Sequence, residues 1–363
     1  MKHTLYSILT LLFLLTSLSV SAKSDDKKRY SKPSPETIEQ IVKLSDSSND
    51  AIRTEIASSS LTPSKTLSSL ANDSSKKVRE NVASNPNTPK NILVGMASSS
   101  DLTIRTAVAR NSATPKKQLN LLLEENNPNI LKGLAANEKA NKTIINELLK
   151  SEDSEVRASI ANNRGVSTKV LTRLSEDRHE VVRAAVAKNP NTPADVLNAL
   201  AFDKSELVRL YVASNPNTSF YLLTKFSLSY IQSDRLGVAL NPETSQIMLD
   251  KLSEDQDASV RGVVVKNKNA SKALLDKAYV TGDDDVLAAL AVNPSLDSTL
   301  LDKLIDKSKT PILEAIAKNV SLTDKQIDRI LANKSISHVA RLNLLDNPAT
   351  SFATRIKLIE TLH

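Results

Sequence analysis

The 363-residue sequence predicts an all-α fold, an α-solenoid of about twelve two-helix repeats, and three observations carry that expectation. An Asn recurs every 26 residues, at Asn85, Asn111, Asn137, Asn163, Asn189, Asn215, Asn241, Asn267, Asn293 and Asn319. Three places before it the side chain is aliphatic in every repeat, from Ile56 through Val186 to Leu344. After it, Pro, Thr and Ser fall at fixed offsets, as in "NPNTP" at 85–89 and again at 189–193. Repeats of this length cannot bury an apolar face alone and stack on their neighbours.

The chain opens on an address and not on a fold. "MKHTLYSILTLLFLLTSLSVSA" has a basic start at Lys2, an apolar run from Leu5 to Val20 and small residues at Val20-Ser21-Ala22. This is the pattern of a secretory signal peptide over residues 1–22, with cleavage expected after Ala22. The run is short for a bilayer span and is broken by Thr16, Ser17 and Ser19. There is no cysteine, so neither a lipidated amino-terminal cysteine nor a disulfide is possible. A soluble periplasmic or secreted protein is expected, with no membrane span after cleavage. Lys2 is the one charge in the signal, so the formal +7 becomes +6 in the exported chain. That suits weak attraction to anions and falls short of a dedicated nucleic-acid footprint. Residues 23–35, "KSDDKKRYSKPSP", read as a flexible basic leader.

From residue 36 the sequence reads as one repeat domain: a cap helix at 36–45, repeats over about 46–350 and a second cap helix at 351–363. Within a repeat, helix A carries aliphatic residues seven and three places before the Asn (Val78 and Val82, Val182 and Val186) and Ala two before it in ten of twelve repeats. That spacing makes one buried stripe on a short helix, and the Ala lets a neighbouring helix come close. Pro after Asn stops helix A. Thr88-Pro89, Thr114-Pro115 and Thr192-Pro193 then read as an N-cap followed by Pro at the first position of helix B. Where Pro is lost, Ser167, Ser245, Ser271, Asp297 and Thr323 keep capping chemistry. Helix B buries residues eight and eleven past the Asn, such as Leu93 with Met96 and Leu197 with Leu200.

These columns resemble the leucine-rich repeat variant, the "VR..VA.NP.TP...L..LA.D" unit of the HEAT-like helical-repeat group. Val-Arg, Val-Ala, Asn-Pro, Thr-Pro and Leu-Ala occur together in residues 182–201. The resemblance implies a right-handed superhelix in which an α-helix pairs with a shorter helix, often 3₁₀. Some members carry an iron–sulfur cluster on cysteines; this chain has none, and no cofactor is expected.

Three columns invite a functional reading. Arg stands six places before the Asn at Arg53, Arg79, Arg105, Arg157, Arg183, Arg209, Arg235, Arg261 and Arg341. Stacked guanidinium groups repel unless compensated, either by Asp73, Asp177, Asp203 and Asp255, each six residues before an Arg of its own repeat, or by a polyanion along the column. The structural reading is preferred because the Arg belongs to the repeat pattern. The Asn column is read as a turn device. Lysines crowd the start of helix B at Lys65, Lys90, Lys116, Lys117, Lys142 and Lys169, where the helix dipole disfavours cations. They are a solvated face or an anion site.

Aromatics depart most from the pattern. Of eleven Phe and Tyr, six lie between 202 and 230: Phe202, Tyr211, Phe220, Tyr221, Phe226 and Tyr230. Phe226 occupies a core place, whereas Phe220, Tyr221 and Tyr230 fall where other repeats carry polar residues and Tyr211 where they carry small ones. Tyr211, Phe220, Tyr221 and Tyr230 form a contact patch, or else a local repacking in which they cover one another. No catalytic set appears: His179, His338 and His363 lack partners at ligand or triad spacing. "TGDDDV" at 281–286 reads as an acidic helix start. The expected function is a non-enzymatic, exported scaffold for a protein or peptide. The alternative is an anionic polymer, nucleic acid or envelope polysaccharide, held along the Arg and Lys columns; export and the lack of Trp argue against nucleic acid.

Overall fold

A computed structural model describes residues 35–282, 284–306, 309–333, 336–350 and 354. The expected signal peptide, the leader before Pro35 and the carboxy-terminal cap helix, Thr354 apart, lie outside the described residues. Among those described are 24 helices and no strand, as the sequence predicts. They fall into two compact units, 1–167 and 168–363.

The first unit opens on the helix Pro35–Ser45, the predicted amino-terminal cap. A helices follow at Asp50–Ser58, Lys76–Ser84, Leu102–Arg110, Pro128–Ala136 and Ser154–Asn162, each in contact with the next. The intervening B helices, Ser64–Leu70, Lys90–Met96, Lys116–Glu124 and Lys142–Leu148, each pack against the A helix that follows. In the second unit the A helices from Glu180–Lys188 to His338–Asp346 stack in the same way, with B helices from Thr168–Leu174 to Asp324–Ala332 beside them. Both helices of the repeat are α among the described residues, where the family resemblance left the shorter one open between α and 3₁₀.

The core is the predicted set of columns. Val78, Val82, Ala83 and Leu93 are fully buried, and so are Val182, Val186, Ala187 and Leu197. Helices of seven to nine residues are marginal alone, so this shared burial is what holds each one. Close approach of A helices has a limiting case at Gly237, where a Cβ would lie 2.6 Å from both the Ala213 Cβ and the Leu210 carbonyl oxygen.

The Thr column corrects the capping expectation. Pro63, Pro89, Pro115 and Pro193 occupy the N-cap position of helix B. The preceding Thr turns back to helix A instead, its Oγ1 donating to the carbonyl six residues before it: Thr62 to Ile56, Thr88 to Val82, Thr114 to Val108, Thr192 to Val186. An A-helix carboxyl end leaves carbonyls without helical partners, and a buried hydroxyl satisfies one of them. Where Pro is replaced, Ser245, Ser271, Asp297 and Thr323 accept backbone N–H groups of helix B as expected.

Candidate functional site

The Asn column links repeats as well as making turns. Each Asn side chain accepts the N–H two residues on, closing its own loop, as Asn85 Oδ1 does from Asn87 at 2.9 Å. Its Nδ2 donates to two carbonyls of the repeat before: Asn85 to Ala57 and Ser59, Asn111 to Ala83 and Asn85, Asn137 to Ala109 and Asn111, all within 2.9 Å. The second unit repeats this from Asn215 to Asn319. Asn347, two residues late in sequence, still reaches Ala317 and Asn319. The Asn of each column and the residues whose carbonyls it reaches are buried, so these amides replace water for groups that would otherwise be orphaned.

Arg is likewise built into the repeat, by a pairing the sequence reading placed one repeat off. Nη1 of Arg53, Arg79, Arg105, Arg157, Arg183, Arg209, Arg235 and Arg261 donates to the main-chain carbonyl six residues before it, at 2.6–2.9 Å. The carboxylate comes from twenty residues later, in the next repeat: Arg53 takes Asp73, Arg105 Glu125, Arg183 Asp203 and Arg235 Asp255. Thus the Asp73 carboxylate binds Arg53, while the Arg79 six places ahead takes from Asp73 only the main-chain carbonyl. An Asp at the end of helix B faces back over its own helix, toward the A helix just passed, which is why sequence proximity misleads here. Arg53, Arg183 and Arg235 bind bidentate through Nε and Nη2. Where position +20 is Ser229, Arg209 uses Asp234 at 3.1 Å instead, and Ser229 Oγ donates to the same carboxylate. For Arg79 and Arg261 position +20 is Ser99 and Thr281.

The electrostatics follow. The Arg53 hydrogen bond holds the Asp73 carboxyl below its usual range against the opposing effect of burial. Burial is the largest influence on Asp203 and Asp255 and would raise them. The Arg183 or Arg235 hydrogen bond, together with an N–H from Ser205 or Asp257, outweighs it, and both stay below the usual range.

Lys65, Lys90, Lys116, Lys117, Lys142 and Lys169 are all exposed at the starts of B helices. Among the described residues none of these ammonium groups pairs with a carboxylate. Within the acidic run, Asp284 and Asp285 stand in the first turn of the helix Asp284–Ala291, and Asp284 binds Lys309. No group of three or more His, Asp or Glu among the described residues is placed to hold a metal ion.

The aromatic residues divide. Phe220, Tyr221 and Tyr230 stand 69%, 65% and 91% exposed, so they do not cover one another. Tyr211 is half-buried on the A helix Glu206–Ser214, with the Lys188 ammonium 5.5 Å from its ring. Phe202, outside the predicted contact set, is 73% exposed and joins Tyr221 through Lys225, whose ammonium lies 5.4 and 5.3 Å from the two rings. Tyr221, Lys225 and Leu228 sit at i, i+4 and i+7 along the helix Phe220–Ser227 and its C-cap, hence on one face. The same face of the repeat before presents Phe202, and that of the repeat after presents Ile247, 83% exposed. In the first unit these places hold Lys65 and Asn72, Asn91 and Ser98, Thr143 and Lys150. Leu228 and Ile247 are aliphatic, so the aromatic pattern does not mark them, although each is an apolar residue in a polar column.

The repeat at residues 181–205, with its A helix Glu180–Lys188 and B helix Ala194–Leu200, matches the family model described as leucine rich repeat variant. The chain is a helical repeat protein. Solved structures similar to this helical repeat protein include a leucine-rich repeat variant with a novel repetitive structural motif, at 22% identity over 55% of this chain and 80% of that one, TM-score 0.31. An engineered protein is similar at 16% identity over 98% and 94% of the two chains, TM-score 0.21. No curated protein matches the chain. Among the described residues no helix is long and apolar enough to cross a membrane.

Proposed function

We propose that this helical repeat protein is an exported, non-enzymatic scaffold that binds a protein or peptide on the B-helix face of its second unit. Scaffolding is the typical use of such repeats, and the amino-terminal sequence supplies the export signal. One observation carries the reading. The face bearing Phe202, Phe220, Tyr221, Leu228 and Ile247 is apolar and exposed in consecutive repeats, at places that are polar in the first unit. Scattered apolar residues need no explanation, whereas a contiguous set with large rings resembles the anchors of protein interfaces. Lys225 between two rings adds a cation at the centre.

The test is capture from an envelope extract by residues 23–363, beside a variant with Phe220, Tyr221 and Tyr230 changed to Ser. A protein retained by the wild type at 0.5 M salt and lost by the folded variant supports the scaffold; equal retention by both rejects it.

The exposed, unpaired lysines favour the alternative of an anionic polymer along the first unit. The paired arginines contribute little to it, since a carboxylate already occupies the fork of Arg53, Arg105, Arg183 and Arg235. Polymer binding weakens steeply with ionic strength, and retention dissolving by about 0.2 M salt would favour it.

A further inference from the structure

Arg261 keeps half of the arrangement that satisfies its equivalents. Nη1 donates to the carbonyls of Asp255 and Gln256, at 2.6 and 3.0 Å. Among the described residues no carboxylate completes the fork, because position 281 is Thr where Arg235 meets Asp255. The local fold explains what becomes of the space. The helix Lys272–Thr281 runs three residues further than its counterpart Gln246–Leu252, so Thr281 lies within the helix and turns its hydroxyl to the Lys277 carbonyl, 2.9 Å away. Beside Arg261 this leaves a cavity of about 110 Å³, with Ser253, Lys277 and Thr281 on its polar side and Val265 and Leu274 on its apolar side. Neighbouring acids are engaged elsewhere: Glu254 with Lys277, Asp255 and Asp257 with Arg235, Asp284 with Lys309.

We propose that Arg261 and this cavity form a receptor for a carboxylate from outside the chain, which takes on Arg261 the place that Asp255 holds on Arg235. A guanidinium whose Nη1 is fixed by two carbonyls presents Nε and Nη2 as a pre-organised pair, the geometry a carboxylate accepts bidentate. Val265 and Leu274 suit a short aliphatic stem behind it. The ligand is a carboxylate on a few methylenes, which is either a free short-chain acid or the acidic side chain of a peptide. The inference is independent of the aromatic face.

The test follows the Arg Nε–H resonances of the ¹⁵N-labelled exported chain during titration with butyrate, and separately with a blocked pentapeptide carrying one Glu. Arg261→Lys assigns the resonance. A saturable shift of that resonance is expected, with a midpoint in the millimolar range for butyrate. Tighter binding of the peptide assigns the site to a protein source; binding of butyrate with no gain from the peptide assigns it to a free acid. Thr281→Asp puts a competing carboxylate on the cavity wall, so it should weaken both ligands at least about tenfold while leaving the fold intact. A linear shift shared by all arginines, or titrations unchanged in Thr281→Asp, overturns the proposal.

Discussion

The side-chain amide of Asn111 donates to the main-chain carbonyl of Asn85, 2.8 Å away and out of contact with water. The second amide hydrogen goes to Ala83. Asn111→Ala therefore strands two buried acceptors at once, and about 2–4 kcal/mol of destabilisation is expected. Asn111→Asp should cost at least as much, since it keeps the shape, removes both donors and buries a charge. Urea unfolding of the two variants checks this; a loss below about 1 kcal/mol in both would show that the amide is only a loop device.

Two glycines should respond to alanine with opposite signs. A Cβ on Gly262 meets nothing within 4 Å, so Gly262→Ala gains helix propensity and stabilises by up to about 1 kcal/mol. On Gly237 the same methyl meets the Leu210 carbonyl and Ala213 at 2.6 Å, and overpacking of about 1–3 kcal/mol exceeds the propensity gain. Thermal melts of the pair decide it.

Acid should unfold the protein through the carboxylates that link repeats. Asp73, Asp203 and Asp255 have folded pKa values below the ordinary 3.8, so their stabilisation is fully present above that value and is lost as pH falls through the lower folded values. Stability from this source is expected to be flat from neutrality to about pH 5 and to drop below about pH 4. Asp203→Asn should flatten that drop while lowering stability at pH 7, because Arg183 is left without its carboxylate. Urea midpoints measured from pH 3 to 7 on both proteins give the comparison.

Changing Phe220, Tyr221 and Tyr230 to Ser should leave the unfolding midpoint nearly unchanged, within about 0.5 kcal/mol per site, because these side chains bury little in the folded chain. A large loss of stability would mean that they pack in solution and would return them to the core.

Much of this fold is legible in the sequence because stacking repeats impose the same burial at the same place each time. Val82, Ala83 and Leu93 announce themselves by column alone. What the columns hide is direction. Asp203 is nearer in sequence to Arg209 than to Arg183, yet it binds Arg183. Thr88 precedes helix B, yet it caps helix A. In both cases the residue lies in the turn between helices, where sequence distance says little about which side a short polar group faces. The candidate surface was half legible: polar columns marked Phe220 and Tyr221, while Tyr211, a large ring in a small-residue column, reads alike whether it is half-buried beside Lys188 or fully displayed.

The linking amide has an evolutionary consequence. Because the acceptors of Asn111 and its equivalents include the carbonyl of the Asn before, the two ends of a repeat are complementary to each other. Excision of residues 86–111 would bring Asn137 onto the carbonyls of Ala83 and Asn85, the acceptors that Asn111 now uses. Gene duplication or unequal recombination in steps of 26 codons can thus lengthen or shorten such a chain without inventing a new interface, and selection is left to act on the decoration of the outer faces.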